Sequence, residues 1–144
     1  MSTISRYFWK ELVDYSLERS CAGTAFMWGL WVLLWKPISS GSPMVAGLHL
    51  MDEVFGWLPF SSDFAWGALT ILPALLHIRF IIADTDQKVR GHLALFKAAV
   101  FLFITLLIGM ANWRTTGIAM YGGLAVAEFA CYAQLVHRRH RHAA

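Results

Sequence analysis

Charge is what this sequence has least of. Asp, Glu, Lys and Arg make up 15% of its 144 residues, where a soluble domain carries about a quarter. Hydrophobic residues reach 58% and mean hydropathy is +0.53. The apolar residues stand in long blocks, not at alternating or amphipathic spacing. This excludes a soluble domain and leaves a single-domain integral membrane protein. Cysteine is scarce as well. Cys21 and Cys131 are the only two; they lack metal-ligand spacing and read as small buried hydrophobes. Catalytic signatures are missing: there is no Gly-rich phosphate loop, no HExxH, no GxSxG, and no Ser or Cys with a convincing base. Asp52 and Glu53 are adjacent. Neighbours on a helix point about 100° apart, so they do not converge as an acid/base pair. These absences point to a protein that is not an enzyme. A secretory signal is also lacking. Residues 1–20 carry Glu11, Asp14 and Glu18, with no small-residue cleavage pattern after the first apolar block.

What is present is a series of helical blocks. Residues 1–20 read as an amphipathic helix, with Ile4, Phe8, Leu12 and Tyr15 on one face, suited to the headgroup layer. The apolar run from Cys21 to Trp35 is fifteen residues, about 22 Å at 1.5 Å each and short of a bilayer core. Borrowing Leu17 to Ser20, with Arg19 snorkelling, gives a first span over 17–36. Ser42-Pro43 opens an outer interfacial helix over 43–58, too short and too acidic to cross. A second span covers 64–83, kinked by Pro73. A polar turn, DTDQKVRGH, leads to a third span over 94–112. The WRTTG link makes the fourth span, 116–136, its tight antiparallel neighbour. Residues 137–144 form a basic tail. The expected fold is thus all-α, with four transmembrane helices.

Orientation follows from the basic residues. With both termini on one side, that side holds Arg6, Lys10, Arg19, Arg79, Lys88, Arg90, Lys97, Arg138, Arg139 and Arg141. The other side holds only Lys36 and Arg114. The positive-inside rule then puts both termini in the cytoplasm. Trp35, Trp57, Trp66 and Trp113 all fall at the outer interface, where an aromatic belt is expected.

Four polar side chains fall inside spans in one leaflet: His77, Arg79, Lys97 and Glu128. His77 and Arg79 lie roughly 9 Å and 6 Å from the cytoplasmic end of the second span, and Glu128 roughly 12 Å from that end of the fourth. An unpaired charge in hydrocarbon costs several kcal/mol. The economical arrangement is a polar clasp in which Glu128 meets Arg79 or His77. A proton relay needs an acid ladder that is not present. A b-type haem would need a second histidine at the depth of His77. His92 is the candidate, near the start of the third span. A quinone site at His77 and Arg79 is a comparable alternative.

In the fourth span Ala119, Gly123, Ala127 and Cys131 recur every four residues. Such a small-residue stripe lets another helix approach, from this chain or from a partner. The tail HRRHRH offers Arg138, Arg139 and Arg141 to anionic lipid. It has a phosphate footprint but no fold to read bases, so the expected partners are the bilayer and other membrane proteins rather than nucleic acid.

Residues 48–135 resemble small multi-spanning inner-membrane proteins encoded by tailed bacteriophages. The resemblance rests on the outer segment, Trp66-Gly67 at the head of a span, the Asn112-Trp113 hairpin with Thr115-Thr116, Tyr121 in the last span, and the basic end. It implies a bacterial inner membrane. It also implies a role through assembly there: holin-like, in genome delivery, or in host exclusion. An anchor subunit of a respiratory-type complex and a structural accessory subunit are the competing expectations.

Overall fold

The computed structural model describes residues 3–51, 61–84 and 86–143, and the side-chain surroundings of most of those from Ser16 to Arg139. It is all-helical: α1 (Thr3–Trp35), a 3-10 helix (Pro43–Met51), α2 (Ser62–Ile82), α3 (Gln87–Ala111) and α4 (Thr116–Ala143). Ser62–Ile82, Gln87–Ala111 and Thr116–Arg139 are long and apolar enough to cross a membrane. Large apolar side chains cover their outer faces, among them Leu72, Leu102, Leu106, Met110 and Val126. An aqueous surface does not tolerate a belt of that extent. The protein belongs in a membrane.

The helices run up and down in two hairpins, α1 with α2 and α3 with α4, and these pack side by side. Each helix turns one seam inward at three- and four-residue steps. In α1 the seam is Glu18, Cys21, Ala25, Trp28 and Val32; in α2 it is Asp63, Trp66, Thr70, Pro73 and His77; in α3 it is Arg90, Ala94, Lys97, Phe101, Ile104 and Ile108. In α4 it passes through Tyr121, Ala125, Glu128, Cys131 and Leu135. A mean step of 3.5 residues keeps a seam facing its partners along a bundle.

The hairpin α1–α2 closes at two glycines. A Cβ on Gly29 would sit 2.9 Å from the Gly67 carbonyl oxygen, and one on Gly67 3.1 Å from that of Gly29. The backbones cross in near contact, as small residues allow between membrane helices. Midway along the bundle Trp28 meets Phe101 and Tyr121 edge-on, with ring centroids 5.8 and 5.7 Å away. Each such pair adds about 0.5–1.5 kcal/mol beyond area burial.

Several expectations change. The amphipathic helix and the first span are one unbroken 33-residue helix; no turn separates headgroup layer from core. α3 starts at Gln87, well before residue 94, because Asp86 caps it through the Lys88 amide at 2.8 Å. The supposed tail continues α4 to Ala143. The outer segment is a 3-10 helix interrupted at Val45. It does not float at an interface: Ile38, Val45 and Leu48 are fully buried, and Gly47 lies against the Leu107 backbone, where no Cβ fits. Residues 52–60, with Asp52, Glu53 and Trp57, lie outside the described residues. Trp35 and Trp113 are exposed, at 68% and 72%, but Trp66 is 3% exposed and sits in the core, tilted against Phe103. It is therefore not a belt residue. α2 runs through Pro73 as one helix.

Candidate functional site: a buried ionic clasp

The inward seams place charge where hydrocarbon is expected. Glu18, His77, Arg90, Lys97 and Glu128 are each at most 2% exposed. They form two groups. At one end of the bundle, Glu18 of α1 joins α2 to α3. Its Oε1 accepts from Arg90 Nε at 2.7 Å and lies 2.9 Å from His77 Nε2. Its Oε2 accepts from Arg90 Nη2. Arg90 thus grips the carboxylate with two nitrogens, a geometry lysine cannot reproduce. Arg90 Nη1 also reaches Asp84 Oδ1 at 3.4 Å, in the turn after α2, where Asp84 has φ 45°. That left-handed residue follows the helix end and reverses the chain toward α3.

The second group lies two turns further along α3. Seven residues separate Arg90 from Lys97, roughly 10 Å of helix. Lys97 Nζ is 2.8 Å from Glu128 Oε1 of α4. Two acidic side chains thus face two basic ones in the clasp, with His77 as a further partner of Glu18. His77 Nε2–H donates to Glu18, a tautomer assigned from its partner, and Nδ1 has no hydrogen-bond partner among the described residues. Cys21 and Cys131 lie between the groups in a buried cluster with Ala94 and Leu135, close enough for their thiols to interact.

At the opposite end a third acid plays a local part. Asp63, 1% exposed, accepts from the amides of Ile38 and Ser39 at 2.9 and 3.0 Å and from the Ser39 hydroxyl. It ties the start of α2 to the loop that leaves α1.

The clasp differs from the expected one. Glu128 meets Lys97, and neither Arg79 nor His77. His77 pairs with Glu18. Arg79 is exposed on the outer side of α2 and takes no place in the clasp. The two histidines considered as haem ligands lie in different surroundings: His77 Nε2 is turned to Glu18, while His92 is exposed and lines a cleft between α3 and α4. The four-residue stripe of α4 is not its packing face within the chain. Ala119 and Gly123 are exposed and Ala127 is half-buried; Cys131 alone is buried. Of the tail, Arg138 is half-buried and Arg139 exposed, and the surroundings of Arg141 lie outside the description.

Glu18, Arg90 and Asp63 escape a reading by depth alone. One signal does find Arg90 and Asp63. Polar seam residues recur at sevens: Asp63, Thr70 and His77 in α2, Arg90 and Lys97 in α3, Tyr121 and Glu128 in α4. Comparison of the chain with family models, with curated proteins and with solved structures gave no match.

Proposed function

We propose that this chain is a non-enzymatic, four-span protein of a bacterial inner membrane, phage-like in type, with both termini cytoplasmic, that acts by assembling with other copies of itself. α1 serves as the fourth span. Its apolar run is short, but Ala22, Ala25, Trp28 and Val32 are buried along the bundle, and Glu18 is paired within the folded bundle. The ten-to-two bias of Lys and Arg supports the orientation.

One observation carries the assembly. Of the three helices long and apolar enough to cross, α4 is the least covered: 28% of its apolar stretch is buried inside the protein, against 39% for α2 and 44% for α3. Its uncovered face holds Ala119 and Gly123, with open space where a Gly123 Cβ would point. Val126 and Phe129 flank it. The clasp meanwhile fills the interior with charges paired to one another, which suits a structural lock better than a relay. A holin-like role, genome delivery or host exclusion would each use such an assembling surface.

The test is Gly123→Cys, crosslinked in native membranes. Homodimers and higher species are expected. Monomer alone overturns self-assembly, and a constant larger partner would make the chain an accessory subunit instead. Induced expression that leaves membrane potential and growth unchanged removes the holin version.

A further inference from the structure

The cleft that holds His92 has a chemistry the clasp does not use. We propose that it binds the phosphodiester headgroup of an anionic phospholipid. This rests on α3 and α4 spanning the membrane, not on self-assembly.

The cleft lies between the first turns of α3 and the last turns of α4. Lys88 and His92 enter from α3, and Arg139 from α4. All three are exposed, so their heads can converge on a ligand without being taken from partners inside the bundle. Gly91 opens the space. A Cβ there would already touch the Tyr132 ring at 3.6 Å, and a longer side chain would fill the gap. The volume is about 90 Å³. Drug-sized ligands need roughly 300–1,000 Å³; this room suits a phosphate-sized group.

Lys88 and Arg139 outnumber Asp86, the acid two residues from Lys88. Asp86 is committed to the α3 amide of Lys88 at 2.8 Å, and Asp84 faces Arg90. Lys88 and Arg139 therefore leave the cleft positive, and His92 adds a donor in either protonation state.

Two features select a lipid over a free anion. First, the cleft lies where the apolar stretches of α3 and α4 give way to basic residues, Lys88 and Arg90 on α3 and Arg138 and Arg139 on α4, which in the four-span reading is headgroup depth. Second, its floor is apolar and continues into the membrane. Leu135 is buried beneath it. Tyr132 forms a wall, and Phe129 lies one turn deeper, with ring centroids 6.0 Å apart. A glycerol and the head of an acyl chain would follow that wall. Basic pockets between membrane helices favour anionic headgroups by this combination of charge and apolar contact.

The experiment is native mass spectrometry of the purified full chain, with phosphatidylglycerol and phosphatidylcholine offered at equal concentration. Phosphatidylglycerol should be retained at least about tenfold better. The Lys88→Gln/Arg139→Gln variant should fall to the phosphatidylcholine level with its melting temperature kept. Arg114→Gln, which removes a charge at the other end of the bundle, should behave as the parent. Equal retention of the two lipids overturns the proposal, as does undiminished retention by the double variant. An equal loss in Arg114→Gln would show diffuse charge attraction instead of a site. Displacement of the lipid by millimolar inorganic phosphate would show a free-anion site and also overturn it.

Discussion

Lys97 and Glu128 form an ion pair with 2.8 Å between Nζ and Oε1, at positions almost closed to solvent. The pair ties α3 to α4 inside the tightest hairpin of the bundle. Removing either partner leaves the other charge alone in a low-dielectric interior. Lys97→Met or Glu128→Leu should each cost about 3–5 kcal/mol, whereas the double variant should recover most of that loss. Thermal unfolding in detergent measures the cycle; additive losses would show that the two charges do not depend on each other.

Arg90 and Arg79 should behave oppositely. Arg90 holds Glu18 through two nitrogens, so Arg90→Lys should already destabilise and Arg90→Gln should do so by about 3–5 kcal/mol. Arg79→Ala should stay within about 0.5 kcal/mol, since the side chain is exposed. The same melting assay, run on both series, reads the contrast.

That contrast shows where sequence stopped being legible. Depth along a span could be read from residue counts, and the helices, their order and their short hairpins followed from the apolar blocks. Rotation about each axis could not. His77 and Arg79 are two residues apart, hence roughly 200° around the helix, and cannot both face inward. The four-residue stripe of α4 drifts by roughly 40° at each step. It starts outside at Ala119 and ends inside at Cys131. Glu18 was hidden for another reason: its partners are 59 and 72 residues away in sequence, and only packing brings them together.

Glycines should separate close approach from open surface. Gly47→Ala drives a methyl group into the Leu107 backbone, and overpacking of this kind costs about 1–3 kcal/mol. Gly123→Ala meets nothing within 4 Å and should be neutral or stabilising by up to about 1 kcal/mol, the helix propensity gained. Chemical denaturation of the two variants in mild detergent gives both values.

The two cysteines report on the contact between first and last helices. Copper-phenanthroline oxidation of the protein in membranes should join Cys21 to Cys131 within one chain. The product would run faster on a non-reducing gel, and Cys21→Ala would abolish the shift. Dimer formation in place of that shift would mean that α1 and α4 do not meet as described.

The reach of Glu18 has a consequence for biogenesis. When α1 leaves the ribosome, neither His77 nor Arg90 has been made. A helix with a short apolar run and an unsatisfied carboxylate is a poor substrate for stable insertion. α1 should therefore remain extractable by alkali until α3 arrives, and a chain truncated after Ile82 should lose α1 from the bilayer. Glu18→Leu should restore it. The first helix to be synthesised would be the last to settle.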